Sequence, residues 1–234
     1  MPAAPRYAVY WAPEPAHALW RAGIDWLGRD ASVSPVTARD RTPREATAAP
    51  RRYGFHATLK APIALREGAS AAGFLTAVQT LAQQLQRFAM PPLQVATLGG
   101  FVALRPALPV DATHALRRLA DACVRSLDEW RAPMDAQALQ RKLEDDSLNP
   151  TQREAIRRWG YPHVFDDWRF HMTLSDALPR GDAGDALRQR IAADATRHFA
   201  AALGAPLACE SLCVFIEHAP GAPFVLAHRV PLAR

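Results

Sequence analysis

Lysine is nearly absent from this 234-residue chain: Lys60 and Lys142 are the only two, and the rest of its 28 basic residues are arginine. Cysteine is also scarce, with only Cys123, Cys209 and Cys213. An odd number with no framework spacing excludes a disulfide scaffold and points to a reducing, cytoplasmic setting. No apolar run approaches the ~18 residues of a membrane-spanning helix, so no membrane partner is expected. Pro2, Pro5, Arg6, Pro13, Glu14 and Pro15 interrupt any apolar signal core near the first residue. The chain has no G-x-S-x-G elbow, no dinucleotide fingerprint and no glycine-rich phosphate loop.

The composition is that of a folded protein. Apolar residues make up 49% and charged residues 22%, which excludes whole-chain disorder and coiled coil. The length suits one compact domain, or two small lobes sharing a core. Net charge is +5, with arginines dispersed among Asp and Glu. A nucleic-acid-binding chain clusters its charge instead, so RNA is the less favoured partner and a small phosphate ester the more favoured one. Oligomeric state is not legible.

Periodicity predicts a strand over Arg6–Trp11, a helix over Pro15–Leu27 stopped at Gly28, and a helix over Ala69–Phe88 with Phe74, Leu75, Val78, Leu81 and Leu85 on one face. Leu93–Leu98 and Phe101–Arg105 flank Gly99-Gly100 as a hairpin. Asp111 is expected to cap a helix reaching about Trp130. Shorter helices are expected at Ala136–Leu143 and Pro150–Trp159, then a long one over Asp182–Leu203. Leu207–Glu217 and Phe224–Leu232 read as strands. Residues 30–52, rich in Pro, Ser, Thr and Arg and free of Leu and Ile, form a long, mobile loop in this reading. Hairpins mixed with helices favour an α+β fold with antiparallel sheet.

One five-residue pattern occurs twice. Phe55-His56-Ala57-Thr58-Leu59 and Phe170-His171-Met172-Thr173-Leu174 share the form F-H-x-T-L, which argues for an internal duplication. With strands over Tyr53–Leu59 and Trp168–Leu174, alternation sends each His and Thr to one face and the Phe, x and Leu residues to the other. Two such strands facing one groove supply two imidazoles and two hydroxyls. Imidazole titrates near neutrality, so one histidine can accept a proton while the other donates one to a leaving oxygen. The hydroxyls of Thr58 and Thr173 can hold phosphate oxygens. This chemistry needs no metal and no cofactor. Lys60 and Arg169 share the parity of the motif histidines and are candidate substrate contacts. Tyr53 is a weaker one, because it has opposite parity unless Gly54 introduces a bulge. Cys209-x3-Cys213 with His218 could suggest a metal, but its strand-like setting favours buried structural thiols.

The twin motifs, together with RYAVYWAP, YGFHATLKAP and WRFHMTLSD, resemble the 2H phosphoesterase superfamily of 2′-5′ RNA ligase-like proteins and cyclic phosphodiesterases. The closer resemblance is to the branch associated with bacterial phosphonate-utilisation genes. It spans about Arg6 to Leu232. It implies a single bilobal, pseudo-twofold α+β domain over residues 1–234 with a central cleft, and it carries catalytic roles onto His56, Thr58, His171 and Thr173. The second motif continues as Leu174-Ser175-Asp176 where the first continues as Lys60-Ala61-Pro62, so acid and base stay unassigned. Three readings remain: hydrolysis of a small cyclic phosphodiester, action on RNA cyclic-phosphate ends or 2′-5′ linkages, and phosphate-ligand binding without turnover.

Overall fold

A computed structural model describes residues 4–33 and 44–234. The elements in chain order are β1 (Arg6–Trp11), α1 (Ala18–Leu27), α2 (Ala48–Tyr53), β2 (Ala57–Ala64), α3 (Ala71–Gln83), β3 (Phe88–Ala89), β4 (Leu93–Leu98) and β5 (Phe101–Pro106). Then come α4 (Ala115–Leu127), α5 (Ala136–Leu143), α6 (Pro150–Trp159), β6 (Met172–Thr173), α7 (Asp182–Leu203), β7 (Ala208–Cys209), β8 (Ser211–Glu217) and β9 (Val225–Pro231).

The expected α+β class holds. Seven strands form one sheet in the order β4-β5-β6-β2-β1-β8-β9, and β3 pairs with β7 separately. Every pairing between these strands is antiparallel. β1 is buried from Tyr7 to Trp11, because it lies between β2 and β8 and has a core on both faces. Helices α1 and α7 pack together, with α7 against β4 and β5; α4 packs on β2, and α3 on β8 and β9.

The element ends follow local chemistry. His17 caps α1 by accepting the Leu19 amide at its Nδ1, and Gly28 ends the helix in the left-handed region. Ser70 caps α3 by accepting the Gly73 amide. Asn149 and Gln152 close a capping box at α6, with Pro150 in the first turn. Before α4, Asp111 takes the Thr113 and His114 amides, and the cap itself is His114. The core closes on large side chains such as Trp11, Phe55, Phe74, Phe199 and Phe215. Each stabilises by roughly 1.5–3 kcal/mol through burial. Gly23 makes room for one of them: a Cβ there would lie 2.1 Å from the Phe55 ring.

Three expectations about elements are corrected. Tyr53 does not open a strand. It closes α2, and the chain turns at Gly54, whose φ of 81 is left-handed, so β2 begins at Ala57. Pro62 does not end that strand. It sits where the β1 register slips between Val9↔Lys60 and Tyr7↔Ile63, and at such an irregularity a residue without an N–H costs little. Only Met172–Thr173 of the expected Trp168–Leu174 strand pairs as strand, and Phe165–Asp167 forms a 3₁₀ turn. Of the expected 30–52 loop, residues 48–52 are helical, and residues 34–43 lie outside the described residues.

Candidate active site

The two motifs meet at the middle of the sheet. Ala57 of β2 is the register partner of Met172 of β6, and these are the x residues of the two H-x-T triplets. When equivalent residues of two antiparallel strands face each other, a local twofold axis passes between them. One register step either way sets His56 opposite Thr173 and Thr58 opposite His171. Residues opposed in an antiparallel pair share a face, so all four polar side chains occupy one side of the sheet. The apolar partners point inward: Phe55, Leu59, Phe170 and Leu174 are buried. Two indoles tie the motif backbones down. Trp168 Nε1 donates to the Thr58 carbonyl at 2.9 Å and Trp26 Nε1 to the Leu174 carbonyl at 2.8 Å.

The histidines are held alike. His56 Nδ1 donates to the Gly54 carbonyl at 2.8 Å, and His171 Nδ1 donates to the Arg169 carbonyl, also at 2.8 Å. A carbonyl only accepts, so each Nδ1 carries the proton and each Nε2 keeps its lone pair. The Thr58 hydroxyl lies 3.4 Å from His56 Nε2.

Their surroundings differ. His56 stacks on the buried Tyr10 ring at 3.8 Å, with Phe215 at 6.0 Å. Burial lowers its pKa to about 4, against the bond to Gly54 that favours the charged form; the nearby His171 lowers it further. His171 sits against Phe101 at 5.6 Å. Burial also lowers its pKa, the Arg169 carbonyl opposes this, and His163 and Arg105 add to the lowering. At neutral pH both imidazoles are therefore uncharged.

A cavity of about 690 Å³ opens beside them. Thr58, Lys60, Arg169 and His171 line it, and the wall also includes the Gly99-Gly100 turn, the segment 131–134, Trp159, Gly160, Tyr161, His163 and Val164. His56 and Thr173 are not on the wall itself; His56 reaches it through its contact with Thr58.

The secondary candidates fare differently. Lys60 touches the cavity, but its side chain is only 4% exposed and its ammonium is paired with Asp128 at 3.0 Å. The pairing register with β1 slips between Tyr10↔Thr58 and Val9↔Lys60. Such a bulge breaks simple alternation and re-aims Lys60 towards α4, where it also meets the Val124 carbonyl. Arg169 is exposed and donates to the Asp166 and Trp168 carbonyls at 2.5 and 2.8 Å. Tyr53 packs on Phe224 at 5.0 Å and its ring lies 6.2 Å from His56; it does not line the cavity. Sequence reasoning missed Tyr10, Arg105 and His163. Parity along β1 and β5 could have flagged the first two only once their strand partners were known. Cys123, Cys209 and Cys213 are buried free thiols, and no group of three or more His, Cys, Asp or Glu suited to a metal occurs among the described residues. Nor is any described helix long and apolar enough to cross a membrane.

The α+β architecture and the paired H-x-T strands agree with the 2H phosphoesterase resemblance. The chain belongs to the family described as "Protein of unknown function (DUF1045)", whose model matches residues 58–225. That span takes in Thr58, His171 and Thr173 and starts two residues after His56. Two curated relatives are named ribose 1,5-bisphosphate phosphokinase PhnN. The one from Laribacter hongkongensis is 40% identical over 96% of this chain, and the one from Janthinobacterium sp. is 39% identical over 97%. In both cases the chain spans about half of the relative, 51% of its length. Two solved structures align over nearly the whole of both chains. One is described as a phosphoesterase, with 15% identity, a TM-score of 0.44 and 98% of this chain covered. The other is E. coli LigT complexed with 3'-AMP, with 14% identity, a TM-score of 0.43 and 99% covered.

Proposed function

We propose that this protein is a metal-independent phosphoesterase that opens a small cyclic phosphodiester by two-histidine acid/base catalysis. The observation that carries this is the Ala57↔Met172 register, with both Nδ1 atoms anchored to carbonyls two residues upstream. Two unprotonated Nε2 atoms then belong to one face, related by a local twofold, with the Thr58 hydroxyl 3.4 Å from that of His56. Water attacks phosphorus as the more desolvated His56 takes its proton. The P–O bond to the ring oxygen breaks, and that oxygen takes a proton from His171, protonated once the anionic substrate is bound. Transfer of the proton from His56 back to His171 resets the pair, and the product is a phosphomonoester. Thr58 and Thr173 donate to the non-bridging oxygens where negative charge grows.

The relatives' name suggests the substrate class. A ribose 5-phosphate bearing a 1,2-cyclic phosphate opens at O2 to ribose 1,5-bisphosphate, the compound in that name. Such a product would place the chain beside a kinase of that kind in phosphonate metabolism. The kinase step itself is not assigned to these residues. A P-loop needs a lysine behind a glycine-rich turn, whereas Lys60 follows Leu59 on β2 and Lys142 lies within α5.

The test is a chelator-treated assay against 2′,3′-cyclic nucleotides and cyclic ribose phosphates, with products followed by phosphorus NMR. Turnover of at least one cyclic ester is expected, and His56→Ala and His171→Ala should each abolish it. Parent-level rates in either variant would refute the two-histidine mechanism.

A further inference from the structure

We propose that Arg105 is the anion-binding residue of this site, gripping the substrate phosphate beside His171. The inference rests on the phosphoesterase reading and adds to it the residue that supplies fixed positive charge.

The placement comes from the sheet. β5 pairs with β6 through Ala103↔Thr173 and Leu104↔Met172. One further step sets Arg105 opposite His171, and opposed residues share a face. Arg105 and Ala103 therefore stand on the side that carries His171 and Thr173. Ala103 is small and fully buried, and Phe101, further along β5 on the same face, packs on the His171 ring at 5.6 Å. The charge of Arg105 is felt at His171, where it opposes protonation.

The second observation is that Arg105 shows no hydrogen-bond or ion-pair partner among the described residues. Its Nε is buried without a hydrogen bond, and among the described residues it forms no ion pair. A buried guanidinium N–H without an acceptor is costly, and an anionic ligand would satisfy it. The neighbouring cations are engaged. Lys60 and Arg131 both pair with Asp128, and Arg169 points its guanidinium at two backbone carbonyls. With both imidazoles neutral, a phosphodiester anion needs a fixed counter-charge, and the planar guanidinium fork matches two phosphate oxygens.

The placement also couples binding to proton transfer. The titratable and charged groups around His171 are Arg105 on β5, His163 and Arg169 on the adjoining segment, and His56 across the strand pair. A phosphate held by Arg105 offsets its field and adds a negative charge, so proton affinity at His171 rises only when substrate is present.

The experiment uses the full chain with Arg105→Met and Arg105→Lys, reading His171 ring signals by NMR during an inorganic phosphate titration, alongside kcat/KM on the best cyclic ester. In the parent, phosphate should shift the His171 signals and raise its apparent pKa. Arg105→Met should lose that response, raise the His171 pKa of the free protein, and lower kcat/KM about 10²–10³-fold. Arg105→Lys should retain part of both. If Arg105→Met does not fold, the Lys variant decides: phosphate affinity equal to the parent refutes the fork. Unchanged phosphate binding in Arg105→Met overturns the assignment. A parent that turns over no ester but shows the Arg105-dependent phosphate response refutes the catalytic reading and leaves the anion site standing.

Discussion

A histidine that is desolvated, stacked and bonded at Nδ1 has its proton chemistry set by its neighbours. His56, with a pKa lowered to about 4, stays neutral where an ordinary histidine near 6.5 is half charged. Two outcomes follow. The acid limb of kcat/KM should fall below the usual histidine range when base function depends on His56, and a pH–rate profile checks it. Folding stability also responds, with a definite sign. Between about pH 6.5 and 4 the unfolded chain binds a proton at residue 56 that the folded chain does not, so stability drops as pH falls through that window. The contribution is on the order of 1–3 kcal/mol. Denaturant melts of the parent and His56→Gln at pH 7 and pH 5 should show a smaller loss in the variant. Lys60 supplies the contrasting case. Its pairing with Asp128 makes it structural, so Lys60→Met should lower Tm and cost about 1–3 kcal/mol, while kcat/KM of the folded protein changes less than tenfold. A large kcat/KM defect at unchanged Tm would return Lys60 to the substrate.

At the scale of elements, the junction between α2 and β2 positions His56. Gly54 turns the chain at positive φ, and a Cβ there would lie 2.6 Å from Ala31 Cβ. Its carbonyl is also the acceptor for His56 Nδ1. Gly54→Ala should therefore cost about 1–3 kcal/mol and depress kcat more than KM, measured by melts and steady-state kinetics on the same preparation. This junction also marks the limit of what pattern reading reaches. The F-H-x-T-L repeat was legible because alternation places His and Thr together on any strand. The hairpin at Gly99-Gly100 and the helix at Asp182–Leu203 were legible because turn residues and helical periodicity are local. Tyr53 was misplaced because the aromatic alternation of YGFHATL is the same whether Gly54 continues a strand or turns out of a helix. The turn of Lys60 towards Asp128 was not legible because a one-residue slip against β1 has no local signature. Arg105 was invisible as a site residue, since only the β5–β6 register brings it to His171.

For the whole molecule, the sheet order is interlocked. The β8–β9 hairpin, from the end of the described chain, completes the side of the sheet that carries the first motif. The β4–β5 hairpin, from the middle, completes the side that carries the second. Neither side is contiguous in sequence, so unfolding should be one cooperative transition. Near-ultraviolet dichroism, far-ultraviolet dichroism and loss of turnover should share a midpoint. A separate early loss of one set of aromatic signals would show two independently stable lobes.

The Ala57↔Met172 pairing carries a further consequence. The histidines are 115 positions apart, and each belongs to a side that borrows strands from elsewhere, so no fragment cut between the motifs contains half a working site. Co-expressed pieces severed between β5 and α4 would be inert singly and active only on reassembly. Turnover would then report, without any added label, that the seam between β2 and β6 has closed.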